Sequence, residues 1–474
     1  MKIISALLVI VLFQTNFPQG ITLRDTTNQY DYIIITVPEF VPACQTFKQH
    51  KESYNGFNVL IVDTGQIYTE FNSDSLPQNN IREFISYAGT YWQQPYVICI
   101  MLVGTVNQVP NFQLLIPPHI VPNPYHKTDY FYGINKNSID TTLISYAVGR
   151  VPAKNINEVE NYFSKVVDYE GTTGDSTWIN NSLFVYEHEE QQMFGFQEFS
   201  HVLANLQPSN INSKFYTNSD TSSEYGNKDS IISFLNNPGV SLLIFEGHNS
   251  DSSLVNNDYF NVSDVSELNN NGKYFITLFT GGQYAILDSN SNLCVKMLLQ
   301  NNSGSIASIC PSSIVYWNLL RSIHQYWIYK IFDASNITIS KLVDLSNLPS
   351  NDLMYSMKTS INYLGDPSLK LKYDPVVNVT ENNQEIPDGY VLNSNYPNPY
   401  NNSTKISYEI PVQSNVSIIL YDVLGREVAT LVNEVKQSGK HQFNFVEKNL
   451  VSGVYFYTLR AGNFVQTKKM ILLK

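Results

Sequence analysis

Short continuous apolar runs alternate with stretches of helical spacing along the first part of the chain, and this alternation narrows the possible folds more than any other feature. Tyr32-Ile-Ile-Ile-Thr-Val37 stops at Pro38 and leads into a helical stretch over about 42–54. Asn58-Val-Leu-Ile-Val62 follows, Asn79 is placed to cap a helix from Ile81 to about Trp92, and Tyr96-Val-Ile-Cys-Ile-Met-Leu-Val103 ends at Gly104. Strands that are apolar on both faces belong in a sheet covered on both sides, which means a parallel one. Right-handed crossovers join such strands, so a doubly wound α/β layer is expected, with functional groups at the C-terminal strand ends.

A second series repeats the plan. Its strands are Ser182-Leu-Phe-Val-Tyr186, Val240-Ser-Leu-Leu-Ile-Phe245, Tyr274-Phe-Ile-Thr-Leu-Phe279 and Ser305-Ile-Ala-Ser-Ile309, with helices fitting near 157–170, 194–206, 228–236 and 291–300. Two α/β subdomains are therefore expected, over about 21–150 and 151–372. The loop after Phe245 reads Glu246-Gly-His-Asn-Ser250. A histidine on a glycine-containing loop at a strand end can face a cleft and act as a base near neutral pH, although a structural turn histidine reads the same way.

The 474 residues suggest about three domains. With 29 Lys/Arg against 41 Asp/Glu, the net charge of −12 excludes the basic field of a nucleic-acid-binding protein. Cys44, Cys99, Cys294 and Cys310 are too few and too scattered for a disulfide framework, and no Cys-x-x-Cys pair is present. His126, His188 and His248 with Glu187, Glu189 and Glu190 fit no zinc spacing. No cofactor is expected, though Asp and Asn loops leave room for structural calcium in an acidic, exported protein.

The two ends differ from the middle. Ile3 to Phe13 is an apolar run of signal-peptide length after Lys2, so residues 1–20 read as an export signal. Residues 388–474 carry net +3 against −15 for the residues before them. They hold short alternating strands such as Lys405-Ile-Ser-Tyr-Glu-Ile410, Val416-Ser-Ile-Ile-Leu-Tyr421 and Gly453-Val-Tyr-Phe-Tyr-Thr-Leu459. Turn residues at about ten-residue spacing separate them, which predicts a small all-β, immunoglobulin-like sandwich. Residues 373–387 are left as a linker.

Asn395-Tyr-Pro-Asn-Pro-Tyr400, Asn402-Ser-Thr404, Tyr421-Asp-Val-Leu-Gly-Arg-Glu-Val428, Leu450-Val-Ser-Gly-Val-Tyr455 and Lys468-Lys-Met-Ile-Leu-Leu-Lys474 resemble the C-terminal sorting domain of the type IX secretion system. That resemblance implies a partner, the type IX machinery, and a route through the periplasm and outer membrane to the cell surface or the medium. In the middle of the chain the resemblance is carried by Asp129-Tyr-Phe-Tyr-Gly133, Val148-Gly-Arg-Val-Pro152, Val167-Asp-Tyr-Glu170, Gly247-His248-x-Ser250, Gly304-Ser-Ile-Ala307 and Tyr363-Leu-Gly-Asp-Pro-Ser-Leu369. This ordered set resembles the gingipain-type cysteine peptidase family over about residues 30–372. It implies a caspase-like domain of two α/β subdomains acting on proteins or peptides, with a Gly-His-Gly-Ser loop supplying the base and another strand end the nucleophilic cysteine. By position His248 is that base. Glu189 is the foremost candidate for the acid that orients it, Glu187 is nearly as well placed, and a solvated acidic turn is the plain alternative.

The family's cysteine is expected just after the strand that follows Lys273, where this chain reads Phe279-Thr-Gly-Gly-Gln-Tyr284, and no Cys occurs from 273 to 285. Asn249 also stands where the His loop has its second Gly. A thiolate beside an imidazole is what makes such a site react near pH 7, so the chain reads as a catalytically impaired member. The alternative is an active cysteine endopeptidase using another thiol. Cys294 falls within a helix, Cys310 at a strand end that could face the cleft, and Cys44 and Cys99 in the core. Thr280 is a weaker nucleophile, and Ser250 is too close along the chain to His248 for attack geometry.

Overall fold

The structure is a computed structural model that describes residues 21–115, 125–137, 144–171, 177–189, 195–255, 259–279, 292–312, 317–332, 338–344, 352–374, 389–401, 403–411, 414–436, 439–446, 450–462 and 464–473. The expected signal segment, the stretch from Thr280 to Tyr284, Glu190, Asn402 and nearly all of the linker lie outside these residues. Two compact units emerge, Met1–Val376 and Val377–Lys474. Among the described residues no helix is long and apolar enough to cross a membrane.

The first unit is built on ten strands: β1 Tyr32–Thr36, β2 Val59–Asp63, β3 Cys99–Val103, β4 Ala147–Val151, β5 Asn181–Tyr186, β6 Asn212–Thr217, β7 Leu242–Glu246, β8 Phe275–Phe279, β9 Ser305–Pro311 and β10 Ile361–Leu364. Its helices are α1 Val41–His50, α2 Thr64–Glu70, α3 Pro77–Tyr91, α4 Ile156–Gly171, α5 Phe196–Asn205, α6 Lys228–Asn236, α7 Leu293–Leu299, α8 Trp317–Ile331 and α9 Asp352–Ser360. Every residue of β1, β3, β7 and β8 is buried, as continuous apolar runs require. α3 starts at Pro77 rather than being capped by Asn79, because proline suits the first helical position, where no donor is needed. α2 was not legible as a helix; Asp63 caps it by accepting from the Gln66 backbone N at 2.9 Å.

The two expected α/β halves share one sheet. Its order is β2-β1-β3-β4-β10-β9-β8-β7-β5-β6. Neighbours are parallel except at one seam, where β9 and β10 run antiparallel and Ile309 faces Tyr363. The halves thus point in opposite directions, and the C-terminal ends of β5, β7 and β8 share an edge with the N-terminal ends of β4 and β10. A site at the end of β7 therefore has the entry side of the other half as its neighbour. Apolar cores cover both faces: Ile33, Ile35, Leu60 and Leu102 lie on the side of Ile81 and Phe84 of α3, and Tyr32, Ile34 and Met101 on the side of Phe47 of α1 and Phe163 of α4.

Three buried basic side chains fasten this layer. Arg150 on β4 forks onto Asp129, with Nε to Oδ2 at 2.6 Å and an Nη to Oδ1 at 2.7 Å, and also donates to the Gly104 and Val109 carbonyls. Lys165 on α4 donates to the Leu298, Ser303 and Ser305 carbonyls at 2.8 Å each, tying α4 to the end of α7 and the start of β9. Lys51, wholly buried just past α1, is paired with Asp366 at 2.6 Å and Glu170 at 2.7 Å. Burial alone would pull its pKa down, but Asp366 and Glu170 outweigh this and hold it above the ordinary lysine value. Asp366 also accepts from the Tyr32 hydroxyl at 2.7 Å and from Ser368. The turn that carries it approaches β4 so closely that a Cβ on Gly149 would meet the Gly365 carbonyl at 2.2 Å.

The second unit has seven strands: β11 Val391–Leu392, β12 Ser403–Ile410, β13 Ser414–Tyr421, β14 Glu427–Lys436, β15 Gly439–Val446, β16 Gly453–Ala461 and β17 Phe464–Leu472. They form two antiparallel sheets, β11-β12-β15 and β14-β13-β16-β17. Inward residues alternate along them, Ile406, Tyr408 and Ile410 from one sheet, Val416, Ile418 and Leu420 from the other.

Lys51→Met leaves the buried Asp366 carboxylate without its cation, while Glu170 keeps only His50 beside it. The expected result is a loss of about 3–5 kcal/mol in urea unfolding of the first unit's transition.

Candidate active site

Strand register brings the site together. Tyr186 of β5 pairs with Glu246 of β7, so the next residues, Glu187 and Gly247, leave the sheet side by side. The Glu187 backbone N donates to the Glu246 carbonyl at 2.9 Å. A Cβ on Gly247 would meet the Glu187 Cβ at 2.7 Å, so glycine is what lets the two chains approach here. Glu187 Oε2 then accepts from the His248 backbone N at 2.7 Å and lies 2.7 Å from His248 Nδ1. One carboxylate fixes both the loop and the ring, as an acid that orients a catalytic base must.

The carboxylate at His248 Nδ1 is Glu187, the first residue beyond β5; Glu189, two residues further on, accepts from the Gly195 backbone N at 3.0 Å ahead of α5. Glu189 influences His248 through its charge. The Glu187 hydrogen bond raises the His248 pKa above its ordinary value, partial burial lowers it, and the charges of Glu187 and Glu189 add to the rise. The His248 side chain is 58% exposed, so a ligand can reach it, while that of Glu187 is 12% exposed. Phe196 stands edge-on to the imidazole at 5.7 Å. Beside it is a shallow recess of about 30 Å³, lined by Glu187, His188, Glu189, Phe196 and Glu198 among others.

The loop beyond His248 is braced. The Val255 N donates to the His248 carbonyl at 3.0 Å, and the Ser250 and Ser253 hydroxyls are 2.8 Å apart. Ser250 is engaged within its own turn. Asn249 is accommodated where the family has glycine, because the described non-glycine residues with positive φ are Val255 and Asn302, and Asn249 is not among them. Beneath the loop, His324 of α8 lies with Nδ1 2.5 Å from Glu246 Oε1, both side chains nearly inaccessible. Sequence reading missed this pair, since 78 residues separate its members and only the sheet unites them.

All four cysteines are buried and unbridged. Burial pushes the Cys44 thiol up to about 12 and raises those of Cys99 and Cys294, the latter further through a hydrogen bond with Cys310. Cys310 does not face the cleft, because β9 continues to Pro311 and Cys310 is fully covered. Thr280 lies outside the described residues. His126 is buried on the strand Tyr125–Thr128, 3.3 Å from the Thr359 hydroxyl, and desolvation lowers its pKa to about 4. Among the described residues no group of three or more His, Cys, Asp and Glu is arranged to hold a metal ion.

Residues 25–372 match peptidase family C25. The chain belongs to that family. Residues 394–473 match the secretion system C-terminal sorting domain, which implies interaction with the type IX machinery and export across the outer membrane to the cell surface or the medium. Among solved structures, the C25 chain is similar to the complex of Porphyromonas gingivalis RgpB pro- and mature domains, with TM-score 0.61, 16% identity, and coverage of 93% of this chain and 100% of that one. It is similar to the Arg-specific cysteine proteinase gingipain R, with TM-score 0.61, 15% identity, and coverage of 94% and 98%. At these identities the likeness is one of fold, and it supports the caspase-like α/β reading. No curated protein sequence matches the chain.

In Glu187→Gln the His248 pKa falls, because the largest raising influence is gone while burial remains. A histidine NMR titration of the wild type and the variant reads this directly. The sign for stability follows: with a raised folded pKa, the stabilisation from ring protonation is complete below the unfolded value and disappears as pH rises through the folded one. Glu187→Gln weakens that acid-side stabilisation.

Proposed function

We propose that this C25 member is exported after removal of residues 1–20 and binds polypeptide segments at its His248 cleft without cleaving them. His248 and Glu187 are assigned as the retained base and its orienting acid. One observation carries the reading: no cysteine occurs from 273 to 285, and the four cysteines elsewhere are all buried. A C25-type reaction needs a thiolate that attacks the peptide carbonyl while the imidazole takes and returns the proton. Burial raises the thiol pKa at Cys44, Cys99 and Cys294, which opposes forming such a thiolate there near neutral pH. What supports binding is the exposed His248 imidazole and, beside it, a recess lined by the Phe196 ring and the Glu187, Glu189 and Glu198 carboxylates, which suit a segment presenting a basic side chain.

The alternative, an active endopeptidase using a different thiol, makes the opposite prediction. Purified protein incubated with a mixed peptide library under reducing conditions is expected to give no cleavage above that of His248→Ala. Cleavage that disappears in His248→Ala and after iodoacetamide would overturn the impaired reading. Independently, native protein treated with iodoacetamide should gain no carbamidomethyl groups by intact mass, and denatured protein should gain four.

A further inference from the structure

Two polar contacts from α8 reach the two chain segments that carry the candidate site. His324 Nδ1 lies 2.5 Å from Glu246 Oε1, and Glu246 is the last residue of β7, two positions before His248. Three residues earlier on the helix, Arg321 Nη2 donates to the Gly195 carbonyl at 3.1 Å, and its guanidinium lies 5.0 Å from the Phe199 ring. Residues three apart on a helix share a face. Gly195 immediately precedes Phe196, whose ring stands edge-on to the His248 imidazole. One face of α8 therefore grips the chain just before each of the two rings. Gly195 is confined by its contact: its φ is 62°, and an added Cβ would meet Arg321 Nη2 at 3.0 Å.

The contact between His324 and Glu246 is expensive where it sits. The two side chains are 1% and 0% exposed. Nδ1 meets Glu246, but Nε2 is buried with no hydrogen-bond partner among the described residues. Trp327, one turn further along α8, packs its ring 4.9 Å from the imidazole and is itself held by the Leu342 carbonyl at 2.8 Å, so the histidine is fixed from behind. Two apolar side chains would fill this space without stranding a polar atom, and such replacements are often neutral or stabilising. Local stability therefore does not account for a carboxylate and an imidazole here. Position does. The Glu246 carbonyl accepts from the Glu187 backbone N at 2.9 Å, and between Glu246 and His248 stands only Gly247, which has no side chain to pack. Glu246 is thus the last side chain before His248 by which the fold can hold the strand end.

We propose that α8 positions the His248 site: His324, acting through Glu246, holds the end of β7 where Glu187 meets both the backbone N and Nδ1 of His248, and Arg321, acting through Gly195, sets Phe196 against the same ring. Both are positioning residues. His324 is too deeply covered to meet a ligand and works only through the strand end it anchors. This role rests on His248 and Glu187 being a base and its orienting acid, and it is independent of whether any thiol completes the site.

The test is a histidine NMR titration of the full chain, with the His248 resonance identified by its loss in His248→Ala. Glu246→Leu with His324→Leu removes the pair without leaving a buried charge behind. Its thermal unfolding midpoint is expected to equal or exceed the wild type's, while the His248 titration midpoint moves to lower pH as the Glu187 bond that raises it loosens. The His248 amide, which donates to Glu187 Oε2, should exchange with solvent about tenfold faster. His324→Asn keeps an amide nitrogen where Nδ1 stands, still able to donate to Glu246, and should keep the wild-type midpoint. An unchanged His248 midpoint in the double variant, or a midpoint in His324→Asn as low as the double variant's, would overturn the positioning role. Lost thermal stability in the double variant would make the pair structural and overturn it as well. Glu187→Gln separates this role from the assignment beneath it: an unmoved His248 midpoint there means that the orienting acid is misassigned, whereas a shift in Glu187→Gln with none in the double variant overturns the part played by α8 alone.

Discussion

The buried pair between Lys51 and Asp366 holds the first unit at its weakest point. β10 is only four residues long, yet it joins two halves of a sheet that run in opposite directions, and so short a strand cannot fix a seam by ladder hydrogen bonds alone. The turn leaving β10 is secured instead by charge and hydroxyls: Lys51 from the end of α1, Tyr32 from β1, and Ser368 from the turn itself all converge on Asp366. Removing two such charges from water is expensive, and it is tolerated because each is met by partners of fixed geometry. Arg150, forked onto Asp129, repeats the solution on the next strand.

The candidate site inherits its precision from that sheet. Glu187 and His248 are 61 residues apart and come from neighbouring parallel strands, so their meeting depends on register rather than on any local motif. The bond between them raises the pKa of the imidazole and leaves the ring accessible.

In the tail, inward-facing Ile, Val, Leu and Tyr residues from two antiparallel sheets close the core.

Much of this was legible in the residues. Apolar runs marked β1, β3, β5, β7 and β8 because burial on both faces leaves no room for polar alternation, and the ordered motifs identified both family resemblances. The absence of Cys from 273 to 285 is a fact of sequence alone. What the chain could not state in one dimension was direction and register. The short β10 and the hidden helix α2 have no periodicity to betray them, and the antiparallel seam that merges two apparent subdomains is a pairing choice. That Glu187 reaches His248 Nδ1 turns on which side chain leaves β5 beside Gly247, a matter of register. Which residues of the tail become neighbours is likewise decided by strand pairing, because hydrogen-bond ladders set neighbours in space without regard to distance along the chain.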